Sequence, residues 1–162
     1  MSGMYAKDTS VSVERSRAEI ETILGRYGAS AFAYATEANR AMVGFRITDT
    51  TGTNLAIRMT LPLPARDDEA FTRRKSYGNR IVGNDPMRAN KLWEQACRSS
   101  WRALCLVIKA KLEACAVGIS TVEREFMADV VTPDGRTIGQ ILSPQLKAIS
   151  DGGTVPRLLP AA

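Results

Sequence analysis

The sequence predicts an α+β protein: an N-terminal helix, a three-stranded antiparallel sheet, a long basic amphipathic helix, and a C-terminal helix plus β-hairpin. Two long segments repeat apolar residues at helical spacing, three shorter runs between them suit half-buried strands, and glycine or proline stands at the junctions. The 162 residues are 44% apolar and 24% charged, a composition typical of globular proteins. A chain of this length predicts one domain, over residues 13–150, with a flexible arm at 1–12 and a tail at 151–162.

The first helix is predicted to begin at Val13, because Ser12 is a favourable N-cap and Glu14 adds negative charge to the first turn. Gly28 is expected to end this helix. Its core-facing stripe comprises Ala18, Ile20, Ile23, Leu24 and Tyr27. Three strands are expected next, at residues 31–35, 41–48 and 54–61.

A long irregular segment is predicted to separate the sheet from the main helix. Residues 65–89 lack apolar periodicity, and a stretch of this length inside a compact domain is usually functional or mobile. The main helix is predicted over residues 90–117, about 28 residues at helical periodicity, and ends at Gly118.

The C-terminal part is predicted to contain a short helix that starts at Thr121 and is followed by a hairpin. Residues 128–132 and 137–142 are the expected strands, around a turn at 133–136 whose composition favours reversal of the chain. Pro144 is expected to close the hairpin. The order α-β-β-β-α resembles that of double-stranded-RNA-binding domains, although only in the sequence of elements.

Two segments of the chain also resemble small proteins of tailed phages and their prophages. The segments are SVERSRAEIETILGRYGASAFAYATEANRAMVGFRI and KLWEQACRSSWRALCLVIKAKLEACAVGISTVEREFMADVVTPDGRTIGQ, together roughly half of the chain. That group has no assigned activity, so no functional residue is transferred from it. The resemblance implies the cytoplasm of an infected bacterium and an accessory role in DNA metabolism or host takeover.

Positive charge is concentrated in residues 73–111. This segment contains ten Lys and Arg against two acids, a net charge of +8, whereas the other residues carry 12 against 15, a net charge of −3. A cationic loop with an aromatic residue can hold a phosphate backbone and stack on a base. The predicted nucleic-acid-binding residues are Arg73, Arg74, Lys75, Tyr77, Arg80, Lys91, Arg98, Arg102 and Lys109.

Four of these cations form what we call the basic line of the main helix. At 100° and 1.5 Å per residue, Lys91, Arg98, Arg102 and Lys109 lie along one side of the helix over about 27 Å. The opposite, apolar side holds Trp93, Ala96, Cys97, Ser100, Leu104, Val107, Ala114 and Cys115, of which Trp93, Leu104 and Val107 are predicted to be buried. Lys111 falls on that side and must snorkel outward or find a partner.

Solvated helix faces usually mix charges of both signs, whereas few acids accompany the basic line. We therefore predict a protein that binds nucleic acid non-specifically, with phosphate contacts supplying the affinity. Three alternatives remain open. In the first, the protein inhibits host or defence functions by binding an acidic bacterial protein. In the second, it has a structural role through self-association as a homo-oligomer. In the third, the basic patch has no binding role.

Metal-dependent catalysis is not predicted. The chain has no His, which removes the commonest general base and metal ligand. Glu125 and Asp129 would share a face if both were helical, a pair able to hold a hard cation. Asp134 is better explained as a turn residue than as part of a nuclease motif, because no Glu-x-Lys follows it.

Other catalytic and membrane functions are disfavoured on similar grounds. Cys97 and Cys115 lie about 27 Å apart along the helix and are predicted to be reduced core residues. Cys105 lies near the basic line, where Arg102 and Lys109 would lower its thiol pKa. The chain contains no glycine-rich phosphate loop and no apolar run long enough to cross a membrane. The sequence thus predicts a non-enzymatic protein without cofactor, metal or membrane contact.

Overall fold

A computed structural model describes residues 6–72, 74–75, 81–82 and 85–152. Its elements are α1 (Val13–Arg26), β1 (Ser30–Thr36), β2 (Arg40–Thr48), β3 (Asn54–Pro62), α2 (Glu69–Thr72), β4 (Arg74–Lys75), β5 (Ile81–Val82), α3 (Pro86–Ala116), α4 (Val122–Phe126) and α5 (Ile138–Gly152), with a 3-10 turn at Met127–Asp129. The α+β class is confirmed. The predicted bounds of α1 and of the first three strands agree with the structure to within one residue.

The sheet has the order β1-β2-β3 with antiparallel pairing throughout. Alternate residues of β2, from Ala41 to Ile47, face the core, and the residues between them face outward. Phe45 pairs with Ile57, so both strands direct apolar side chains to the same face. This register leaves the other face of the sheet open.

Helices α1 and α3 lie side by side on the covered face of the sheet. The Ser12 side chain accepts a hydrogen bond from the Arg15 backbone N at 3.1 Å, which confirms the predicted N-cap of α1. Trp101 of α3 is 1% exposed and meets the edge of Tyr34, and Phe126 of α4 packs against Phe45 with ring centroids 5.6 Å apart. The core therefore includes one residue of α4 besides the two main helices and the sheet.

The predicted irregular segment at 65–89 is partly regular. It contains α2, the short antiparallel pair β4–β5, and the first four residues of α3. The main helix begins at Pro86 because the Asp85 carboxylate accepts hydrogen bonds from the backbone N of Met87 at 3.1 Å and of Arg88 at 3.2 Å. Gly118, with φ 76°, follows the end of α3 as predicted.

The predicted C-terminal hairpin is wrong, although its turn forms. The Gly135 backbone N donates to the Thr132 carbonyl at 2.8 Å, yet beyond the turn only Val131 and Thr137 pair, as an isolated bridge. The chain then enters α5, where the Thr137 hydroxyl accepts from the Gln140 backbone N and the Gln140 side chain accepts from the Thr137 backbone N. This reciprocal cap starts a helix in place of the second strand. Pro144 lies inside α5.

The predicted arm and tail are described only in part. Residues 6–9 form a turn beside α3, where the Gln95 side chain donates to the carbonyls of Lys7 and Thr9 at 3.2 and 3.0 Å. Residues 1–5 and 153–162 lie outside the described residues. Within the described ranges, no helix combines the length and the apolar character that crossing a bilayer requires.

Candidate nucleic-acid interface

The buried side of α3 is turned by about 80° from the predicted one, at 100° per residue. Its buried residues include Trp101, Cys105 and Ile108, whereas Val107 is 44% exposed. Trp93 is only half-buried. The predictions that Trp93 and Val107 are core residues are therefore wrong, and Leu104 alone of the three named is buried.

This rotation brings the middle of the basic line, at Arg102, against α1 and leaves the two ends of the line exposed. Arg102 forms an ion pair with Glu19 of α1 at 2.5 Å, and only 22% of the Arg102 side chain is exposed. Arg98 is half-buried and donates to the Gln95 side-chain oxygen at 2.6 Å. Lys91 and Lys109, at the two ends of the line, are exposed. The prediction that all four cations point outward is thus right only for these two.

Lys111, which was predicted either to reach outward to solvent or to find a partner, has a partner in the structure. Its ammonium donates to the Glu125 carbonyl, lies 3.9 Å from the Glu125 carboxylate and 5.1 Å from the centre of the Phe126 ring. Because α4 ends at Phe126, Glu125 and Asp129 do not share one helical face as proposed. Burial raises the pKa of the Asp129 carboxyl, and Lys111 opposes that shift.

The loop half of the predicted site is not described at the level of side chains. Arg73, Tyr77 and Arg80 lie outside the described residues, and only the backbone of Arg74 and Lys75 is described, in β4.

On α3 itself, four cations have no acidic partner among the described residues: Arg88, Lys91, Arg98 and Lys109. Arg102 and Lys111 are the α3 cations neutralised within that part of the chain. The described half of the site therefore keeps an excess of positive charge.

Sequence reasoning missed a polar cluster at the N-terminal end of α3. Arg66 stacks on the Trp93 ring, 4.5 Å from its centre, and donates to the Asn90 side chain at 2.8 Å, which in turn donates to Glu94 at 2.7 Å. The Trp93 indole N–H donates to the Pro64 carbonyl at 2.9 Å. Only the Asn90–Glu94 bond is local, at four residues apart; the contacts of Arg66 and Pro64 with α3 join residues 24 to 29 apart in the chain, and no local pattern signals them.

The predicted lowering of the Cys105 thiol pKa is wrong. The side chain is fully buried, and loss of hydration raises its pKa to about 11, although Arg102 and Lys109 oppose the shift. Burial raises the pKa of Cys97 as well. Both thiols are therefore protonated core groups at neutral pH, in agreement with the core role predicted for Cys97.

Among the residues that the structure describes, no group of three or more His, Cys, Asp or Glu side chains is arranged to hold a metal ion. A scan against protein-family models, a search of curated proteins and a search of solved structures find no match to this chain.

Proposed function

We propose that the protein is a phage accessory protein that binds nucleic acid without sequence preference, through α3 and the loop that precedes it. The supporting observation is the set of four α3 cations without an acidic partner in the described structure. Cations of this kind bind phosphates and release the counterions condensed on the nucleic acid, which favours association whatever the sequence. The resemblance to tailed-phage proteins supports the setting, an infected bacterial cytoplasm. The proposed role is binding, without catalysis.

The spacing of the exposed cations favours contact along a backbone. Lys91 and Lys109 are separated by about 27 Å at 1.5 Å per residue, equivalent to about eight base pairs at about 3.4 Å each. Half-buried Arg98 lies between them, and its positive charge is not offset by its hydrogen-bond partner, because the Gln95 side chain is neutral. Phosphate contacts made in this way fix position on a duplex but discriminate no base.

Fluorescence anisotropy with a labelled DNA duplex, single-stranded DNA and RNA of mixed sequence tests the proposal. With four phosphates contacted, the logarithm of the duplex association constant should fall against the logarithm of salt concentration with a slope of about −3.6. The double variant K91E/K109E removes two of the exposed contacts and leaves Arg88 and Arg98 in place. It should weaken binding at least tenfold at about 50 mM salt, with a slope of about −1.8.

The matched control is R46E/R124E, which has the same net charge as K91E/K109E. Arg46 is exposed on the open face of the sheet and Arg124 is exposed on α4. The control should bind nearly as well as the unchanged protein. Equal weakening by both variants would show that only total charge matters, and absence of binding to all three probes at about 50 mM salt would refute the proposal.

A second candidate function is inhibition of a bacterial protein, favoured by the mixed charge beside α3. Asp67 lines a cleft of about 410 Å³ together with Pro86 and Asn90 of α3, and Asp85 caps the helix. Acids so close to the cations oppose a polyanion but suit a protein surface of complementary charge. If no nucleic acid binds, one host protein retained stoichiometrically from nuclease-treated lysate, and lost with K91E/K109E, would support this function.

A further inference from the structure

Gln95 of α3 connects the N-terminal turn, residues 6–9, to the Arg98 guanidinium. Its side-chain nitrogen Nε2 donates to the backbone carbonyls of Lys7 at 3.2 Å and of Thr9 at 3.0 Å. Its oxygen Oε1 accepts from Arg98 Nη2 at 2.6 Å and from Arg98 Nε at 3.2 Å. The donors and the acceptor of this one amide are therefore all in use.

These bonds determine which way the Gln95 amide points. A reversed amide would direct its oxygen at the carbonyl oxygens of the turn and its N–H groups at a guanidinium, so that acceptor would face acceptor and donor would face donor. The turn carries Lys7 and Asp8 and thus adds no net charge beside α3. Its effect on Arg98 is to hold the Gln95 oxygen where the guanidinium, three residues further along the helix, can reach it.

The contact with Gln95 uses one edge of the Arg98 guanidinium and leaves another free. Nε and Nη2 form the edge that faces Gln95. Nη1 and the remaining N–H of Nη2 form the free edge, and they have no partner in the described structure. In the described ranges the buried side-chain polar atoms without a partner are Arg17 Nε and Glu123 Oε2, so the unpartnered Arg98 Nη1 reaches the surface. Such an edge can donate two parallel hydrogen bonds to a phosphate.

The acid nearest to Arg98 along α3 is engaged elsewhere. Glu94 precedes Arg98 by four residues, the spacing of a helical ion pair, yet the two form none in the described structure. Glu94 instead accepts a hydrogen bond from the Asn90 side chain at 2.7 Å, and Arg66 donates to Asn90 at 2.8 Å. The free edge of Arg98 therefore keeps its full positive charge.

We propose that Gln95 is a positioning residue, which presents the free edge of Arg98 to one phosphate of the bound nucleic acid. This inference rests on the proposed function and assigns it one ordered contact. A long side chain that is held in place before binding loses less conformational entropy when it meets its ligand. Lys91 and Lys109 are exposed and lack such a partner in the described part of the chain. Arg98 thus fixes the position of the backbone, and the two lysines add charge.

Fluorescence anisotropy with the labelled DNA duplex at several salt concentrations tests the role of Gln95. Gln95→Leu removes the hydrogen bonds but keeps the Arg98 charge, so affinity at about 50 mM salt should fall about fivefold while the slope stays at about −3.6. Arg98→Ala removes the contact itself, so affinity should fall about tenfold and the slope should change to about −2.7. In the Arg98→Ala background, Gln95→Leu should weaken binding further by less than about twofold, because no guanidinium is left to position.

Ser99→Ala is the matched control. The Ser99 hydroxyl donates to the Lys7 carbonyl at 2.9 Å, so its removal loosens the same turn and leaves the Gln95–Arg98 contact in place. This variant should bind within about twofold of the unchanged protein. Circular dichroism melting checks that each variant folds, and Gln95→Ala replaces Gln95→Leu if the latter does not fold.

A measurement without nucleic acid separates this inference from the proposed function. In a proton–nitrogen correlation NMR spectrum, the Arg98 Nε–H should be protected from exchange in the unchanged protein and in Ser99→Ala, and unprotected in Gln95→Leu. If the unchanged protein binds nucleic acid but Gln95→Leu binds equally well, or loses no more affinity than Ser99→Ala, the positioning role is overturned and the proposed function stands. If Arg98 is protected and the unchanged protein binds no nucleic acid, the proposed function fails and the positioning role with it.

Discussion

Replacing Trp101 by alanine is expected to lower the free energy of unfolding by about 5 kcal/mol. About 4 kcal/mol comes from removing a fully buried indole and leaving a cavity. About 1 kcal/mol more comes from contacts to the ring: the Arg17 guanidinium lies 4.4 Å from its centre, and the Tyr34 ring packs on it in an edge-to-face arrangement with ring centroids 6.0 Å apart. Removing the ring also exposes the Arg17 Nε, a buried nitrogen that has no hydrogen-bond partner in the described structure.

Trp93→Ala is the matched comparison, because it removes the same side chain from the same helix. Trp93 is half-buried, donates one hydrogen bond to Pro64 and stacks on Arg66. A hydrogen bond of about 1 kcal/mol and a half-exposed stack of similar size predict a loss of about 2 kcal/mol. The expected difference between the two variants is thus about 3 kcal/mol.

Urea unfolding followed by circular dichroism measures both values. With a denaturant slope of about 2 kcal/mol per M, the midpoint should fall by about 2.5 M for Trp101→Ala and by about 1 M for Trp93→Ala. If Trp101→Ala does not fold, comparing Trp101→Phe with Trp93→Phe tests the same difference with a smaller loss in the free energy of unfolding. An equal or larger loss for the Trp93 variants would mean that α3 is oriented as its sequence alone predicted and that Trp93 lies in the core.

Three further outcomes are expected. Ala31 has φ 51° in β1, so Ala31→Gly should raise the free energy of unfolding by about 0.5 kcal/mol in urea melts, whereas Ala33→Gly should lower it by about as much. Burial raises the pKa of the Cys105 thiol to about 11, so this thiol should resist a thiol reagent at neutral pH in the folded protein and react on unfolding. Rapid modification of all three cysteines in the native state would contradict its burial. Burial raises the pKa of Tyr34 to about 12, so its neutral phenol stabilises the folded state below about pH 10, and this contribution is lost between about pH 10 and 12. Tyr34→Phe should therefore show a smaller alkaline loss of stability, and identical pH profiles of the two proteins would refute this assignment.

Local signals accounted for the elements whose ends depend on neighbouring residues. Ser12 caps α1 through a hydrogen bond three residues away, and Gly118 follows α3 with the positive φ that glycine tolerates. The strands followed from alternation, since a residue's face in a strand depends only on its parity. The prediction of a hairpin with strands at 128–132 and 137–142 was wrong because a local signal was overlooked. The reciprocal hydrogen bonds between Thr137 and Gln140 cap a helix, so α5 begins where the second strand was expected.

The sequence by itself determined the fold class, the position of the sheet and the place of the positive charge along the chain. Only the tertiary structure decided which side of α3 is buried, because apolar residues cover far more of its circumference than one contact needs. The packing of α1 and the sheet selected the side with Trp101 and Cys105, and this choice placed Arg102 beside Glu19, 83 residues away. It also left Val107 and its neighbours uncovered. The elements that pack on a helix determine which of its faces is buried, and the apolar periodicity of one helix does not specify those elements.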